Sequence, residues 1–300
     1  GSVNAIYKNA VVLPNNCKDL YSFEEVLSRT VSLADVRPDA LDLSRISFIE
    51  PYSMLNLLLI GRNYLRATGD RLALINMPLT VHQYLARMDF LKKGVFTVPE
   101  PLDEELFLKR SSFSKTVIEI TDIPNKERES LQAISAVVAL FRTRANHILK
   151  YWIANSIVDY FVTVISEICQ NIFEHSLDSG YCAMQTYASG SEHIVRLAIV
   201  DSGIGIRESF ARNKEIEFES TAKLIEQALM TPISSKRPFG YGLCQVNTLM
   251  EKLKGSIFIR SENASIAVMY NRKHERKPYT FMRNDLAAFP GTQLSISLSG

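Results

Sequence analysis

Strand-like and helix-like runs alternate at short intervals through the first hundred residues, and no other feature constrains the fold as much. NAIYKNAVVL (4–13) reads as a strand or hairpin. SFEEVLSRTVSLA (22–34) reads as a helix with Ser22 as N-cap and Glu25 three residues on, the spacing of a capping box. ALDLSRISFI (40–49) is strand-like again, and SMLNLLLIGRNYLRATG (53–69) is an amphipathic helix closed by Gly69. RLALINM (71–77) has the unbroken apolar character of a buried strand, and LTVHQYLARMDFLKKG (79–94) predicts a helix ending at Gly94. Such alternation predicts a small layered α/β domain over residues 1–98.

The pattern then breaks. VPEPLDEELFLKRSSFSK (98–115) mixes prolines with both signs of charge, which suits a linker over 99–115 and a second domain over 116–300. That second domain opens with a strand at 116–123, a long helix near 126–150 and another near 155–177. YCAMQTYAS and EHIVRLAIV follow as strands, then a polar, mixed stretch at 207–239 and the helix GLCQVNTLMEKLKG (242–255). SIFIRS, ASIAVMYN and TQLSISLS close the chain as strands. In the last, Gln293, Ser295 and Ser297 alternate with Leu294, Ile296 and Leu298, which predicts one buried face and one wet one.

Composition excludes several classes. A net charge of +2 supplies no global field for nucleic acid or an anionic membrane. The strongest apolar runs, MLNLLLIG and AISAVVALF, are far too short to span a bilayer, and the opening GSV does not read as a secretion leader. Cys17, Cys169, Cys182 and Cys244 form no CxxC pair, so buried reduced thiols are expected in a cytoplasmic protein. The basic run NRKHERK (271–277) has no aromatic platform beside it and reads as a solvated hairpin loop rather than a nucleic-acid patch.

Within the helix near 155–177, EICQNIFEHS (167–176) spaces Glu167, Asn171 and His175 four apart, so the three share one helix face. An exposed polar stripe is the plain reading. Asn is nevertheless a poor interior helix former, and a solvated face more usually carries long Lys and Glu side chains. Further on, EHIVRLAIV runs directly into DSGIGI (201–206), with Gly203 and Gly205 free to take unusual backbone angles or to let a ligand approach. Glu208 stands where a dinucleotide fingerprint would need a third glycine, and no phosphate-loop motif occurs. SSKRPFGYGL (234–243) sets Gly240 and Gly242 at a helix start, a ready anion site, with Lys236 close by. PGT (290–292) introduces the last strand. Each loop alone also reads as a tight turn.

In this order the motifs resemble the GHKL, or Bergerat-fold, ATP-binding family over roughly 115–300. The resemblance implies an α/β sandwich that takes Mg-ATP. It implies that Asn171 ligates Mg²⁺, that His175 lies near phosphate, and that Asp201 accepts a hydrogen bond from the adenine amine with Thr292 in support. Gly203, Gly205 and Ile206 would form the adenine loop, and Gly240, Gly242 and Leu243 the lid end, with Lys236 either on the γ-phosphate or merely solvating the loop. Glu167 matches the carboxylate that orients or deprotonates a nucleophile in members that turn ATP over. The first domain resembles a STAS domain, but Glu50, Pro51, Tyr52 and Ser53 stand where that family carries a phosphorylatable serine loop, and Ser53 reads as a helix N-cap. The resulting expectation is a cytoplasmic Mg-ATP-dependent regulator of a protein partner, with a homodimer as an option and neither membrane nor nucleic acid as partner. Serine kinase or slow ATPase chemistry on Glu167 stands against a non-catalytic nucleotide sensor and a scaffold with a dead pocket.

Overall fold

The computed structural model describes residues 6–17, 19–101, 116–125, 131–151, 153–211, 218–230, 238–270 and 277–299; within these, positions 131, 170–175, 189 and 238–242 are described as backbone. The chain divides into two compact units, Gly1–Ser112 and Phe113–Gly300.

The first unit is built on a four-stranded parallel sheet in the order β1 (Ala10–Val12), β2 (Ala40–Asp42), β3 (Leu72–Ile75) and β4 (Phe96–Thr97). Parallel neighbours need crossovers, and helices supply them: α1 (Phe23–Thr30) and α2 (Leu33–Val36), then α3 (Pro51–Thr68), then α4 (Leu79–Arg87). Two predicted caps are placed differently. Ser22 already has helical angles, and Asp19 does the capping by accepting from the Tyr21 and Ser22 amides at 3.0 and 2.8 Å. Ser53 lies inside the first turn of α3, because Pro51 starts the helix and Glu50 is the N-cap. The Ser53 hydroxyl accepts from the Glu50 amide at 3.1 Å and donates to the Cys17 carbonyl at 2.7 Å. Gly69 ends α3 in the left-handed conformation, φ 79°, as its position predicted. The helix predicted over 79–94 stops at Arg87, because Asp89 turns left-handed (φ 65°) and the chain continues as one 3₁₀ turn.

The second unit is a two-layer sandwich. Its seven-stranded sheet runs β10 (Tyr279–Arg283), β9 (Ala264–Met269), β8 (Ser256–Glu262), β11 (Phe289–Ser299), β7 (Glu192–Asp201), β6 (Gly180–Ser189) and β5 (Val117–Ile123). Every pairing in it is antiparallel. Alternate residues of the strands (Val195, Leu197 and Ile199 on β7; Leu294, Ile296 and Leu298 on β11) pack in one core with Val158, Phe161, Val162 and Ile165 of α6 (Asn155–His175). That core also takes residues of α5 (Leu131–Leu149), α7 (Ile206–Ala211), α8 (Thr221–Met230) and α9 (Pro238–Leu253). An ion pair of Arg144 on α5 with Glu119 on β5, 3.1 Å and largely buried, ties that helix to the sheet edge.

Three sequence expectations change here. The polar stretch 207–239 is not uniformly loop: Ala222, Leu224, Ile225, Ala228 and Leu229 of α8 are buried, an apolar stripe at helical spacing masked by flanking charges. Strand β10 went unread, since YTFMR follows directly on the basic run. The last strand has no wet face over most of its length. It lies between β8 and β7, and Gln293 and Ser295 are buried along with Leu294 and Ile296. All four cysteines are free. Among the described residues no helix is long and apolar enough to cross a membrane. Residues 271–276 of the basic run lie outside the described residues.

Candidate functional site

Helix α6 buries Val158, Phe161, Val162, Ile165, Ile168 and Cys169, which orients the rest of its circumference. Glu167 is half-buried beside this stripe. Its Oε2 is buried with no hydrogen-bond partner among the described residues, and loss of water raises the carboxyl's proton affinity. The backbone continues as helix through Asn171 and His175, so the fourfold spacing is kept, while both side chains lie outside the described residues. The helix ends at His175, and Leu177 adopts φ 61°.

The next residue joins the helix end to the strand. Ser176 donates its hydroxyl to Asp201 Oδ1 at 2.9 Å, and its carbonyl accepts from the Ile204 amide at 2.9 Å. Asp201 closes β7 and is 2% exposed. Burial pushes its carboxyl up to about 7, against the donors that favour the charged form: Ser176, the Gly203 amide at 3.0 Å and the Thr292 amide. Nearby Asp178 adds to the rise. Gly203 has no room for a side chain, since a Cβ would sit 2.0 Å from the Ser176 carbonyl oxygen. At Gly205 a Cβ would meet Glu262 Oε1 at 2.5 Å.

The last strand completes the site. Gly291 takes φ 85°, and a Cβ on it would stand 2.2 Å from the Asp201 carbonyl oxygen, so glycine is required on both counts. Ser261 on β8 accepts from the Ile206 amide at 2.9 Å and lies 3.3 Å from both the Gly291 carbonyl and the Thr292 hydroxyl. The Pro-Gly-Thr turn is part of β11, at a register shift between Phe289 and Thr292. The structure therefore gathers Asp201, Gly203, Gly205 and Thr292 around one loop. The side chains of Ile206 and Leu243, also grouped with the binding residues on the sequence, are buried in the core. Gly240 and Gly242 lie in the first turns of α9, which starts at Pro238, and Lys236 falls outside the described residues.

Sequence reasoning missed Ser176, Ser261 and Gln293. Each looks ordinary alone. A serine one residue beyond a helix and polar residues within strands carry no motif signal, and only the fold brings Ser176 and Gln293 to Asp201 and Ser261 to Ile206 and Thr292.

These residues fit an adenine nucleotide and its cation. A buried acceptor waits at Asp201, an added Cβ at Gly203 or Gly291 would meet main chain, and a carboxylate oxygen with no partner among the described residues sits on the Asn171-bearing helix. Among the described residues no three His, Cys, Asp or Glu side chains converge on a metal. A hard cation held by one amide oxygen, water and phosphate needs no such cage. Residues 157–276 match the family model of histidine kinase-, DNA gyrase B-, and HSP90-like ATPases. The match begins near the start of α6 and stops short of Thr292, which reaches the site through the pairing of β11 with β7 and β8. No curated protein matches the chain.

Proposed function

We infer that this chain, whose second unit is a GHKL-type ATP-binding domain, regulates a protein partner through protein serine kinase or slow ATPase chemistry at Glu167. The observation that carries the catalytic part is the Glu167 carboxylate: buried at Oε2, without a partner among the described residues, and raised in proton affinity while most of the neighbouring stripe is apolar.

When bound, Mg-ATP supplies an electrophilic γ-phosphoryl group and the cation that neutralises it. Asn171 would hold that cation through its amide oxygen, and His175, one turn on, would lie beside phosphate. Asp201 would accept from the adenine amine, with Thr292 supporting the carboxylate. Gly203, Gly205, Gly240 and Gly242 would let main chain approach the nucleotide, with Lys236 adding positive charge near phosphate. Glu167 would orient the attacking hydroxyl, of water or of a partner's serine, and take its proton. Phosphoryl transfer asks little more of a protein than such positioning and neutralisation. The first unit, STAS-like in sequence, would serve as a docking or homodimerisation surface in the cytoplasm, with the phospho-acceptor on another protein.

Glu167→Gln tests the assignment, because it keeps the shape and removes the base. ATP affinity should hold within about twofold while ADP or phosphoprotein formation falls by about 10²-fold or more. Equal turnover by the variant places the base elsewhere. Wild-type binding without turnover identifies a nucleotide sensor instead.

A further inference from the structure

Gln293 lies in the middle of the second sheet, wholly buried, opposite Val200 on β7 and Arg260 on β8. An amide buried in a strand is unfavourable unless its hydrogen bonds are made. Its Nε2 makes two, to the carbonyls of Asp201 and Pro290, both at 3.0 Å. Its Oε1 has no partner among the described residues. A packing role would not ask for that arrangement, since Met or Leu fills a similar volume without an orphaned acceptor.

The two carbonyls belong to different segments. One closes the strand that carries the Asp201 carboxylate, and the other begins the Pro-Gly-Thr turn. Gly291 lies between the two bonds, pressed against the Asp201 main chain, and the Thr292 amide reaches back to the Asp201 carboxylate. The amide of Gln293 thus cross-links the end of β7 and the turn.

We propose that Gln293 is a positioning residue for base recognition: by bolting the Asp201 loop to the 290–292 turn it fixes the direction of the Asp201 carboxylate, and selection of a 6-amino over a 6-oxo purine depends on it. This rests on the reading of Asp201 as the acceptor for the adenine amine. Gln293 touches no nucleotide itself and acts through the loop.

The test uses the full chain and titration calorimetry with Mg-ATP and Mg-ITP, which share phosphates and sugar and differ at the purine 6-position. Wild type, Gln293→Met and Gln293→Leu are compared, with thermal unfolding of each in the absence of nucleotide. The wild type should prefer ATP. In the variants ATP affinity should fall about tenfold while ITP affinity is unchanged, so the preference collapses without a lower unfolding temperature. Retained preference overturns the proposal. So does parallel weakening of ATP and ITP together with a lower unfolding temperature, which marks a general structural role. A wild type that binds ATP and ITP equally removes the Asp201 reading and this proposal with it, while leaving nucleotide binding standing. If neither variant folds, amide exchange of the wild type decides. The cross-link requires the Gly203 and Ile204 amides to exchange as slowly as those of β7, and fast exchange there overturns it.

Discussion

Asp201→Asn isolates the most strongly perturbed group of the site. The substitution keeps an acceptor oxygen for Ser176 and Gly203 and removes the ionisable proton. In the folded wild type burial pushes the Asp201 carboxyl from 3.8 to about 7. Below pH 4 the folded and unfolded chains both carry the proton, so the carboxyl has no effect on stability. Between pH 4 and 7 the unfolded chain releases the proton and the folded chain retains it, and the wild type loses stability as pH rises. Above about pH 7 both are ionised and the penalty is constant. About three pH units separate the two values, at about 1.4 kcal/mol each. The variant's unfolding free energy, relative to wild type, should therefore rise by about 4 kcal/mol across this window and be level on either side. Taking the difference between the two proteins cancels the other titrating groups. Trp152, the sole tryptophan, falls within the second unit's residues, so its fluorescence during urea unfolding reports on the relevant half. A difference independent of pH, or one that shrinks as pH rises, would refute the burial argument. An amine donor at the carboxylate favours its charged form, so ATP binding near neutral pH should also release a proton. Calorimetry in buffers of different ionisation enthalpy measures it.

Gly203→Ala should destabilise the second unit by about 1–3 kcal/mol and abolish ATP binding, because its Cβ meets the Ser176 main chain rather than a side chain that can move. Unchanged affinity and unfolding would show that the loop has room. Incubation with Mg-ATP should leave no phosphate on Ser53 or Tyr52, which are buried and, for Ser53, hydrogen-bonded to Cys17. Stoichiometric phosphate at either residue by mass spectrometry, lost in Glu167→Gln, would mean that the first unit is the substrate.

The elements that sequence reading located best were those with strong local signals. α3 has a left-handed glycine at its end, and its eighteen residues bury most of their length. The strand running into DSGIGI was legible because apolar β-formers stop abruptly at an aspartate and two glycines. Where non-local pairing decides, local reading failed. The alternation of Gln293 and Ser295 with Leu294 and Ile296 suggests a half-buried strand, yet β11 is flanked on both sides, and Gln293 finds its partners 92 residues away in sequence at Asp201 and three away at Pro290. Ser53 was misplaced by three positions because Pro51 can open a helix, and the N-cap moved back to Glu50. The helix α8 was lost in a charged neighbourhood although its apolar stripe has ordinary spacing. In the site itself the glycines and Asp201 were readable as a motif, whereas Ser176 and Ser261 owe their place to the fold.

The central claim is that the polar face of α6 binds a cation–nucleotide complex. Titration of the full chain with ATP, with and without Mg²⁺, for wild type and Asn171→Ala tests it most directly, with circular dichroism as the check on folding. The wild type should bind ATP in a Mg²⁺-dependent manner, and the variant should lose that binding while remaining folded. Equal Mg²⁺-dependent affinity in the two proteins would contradict it.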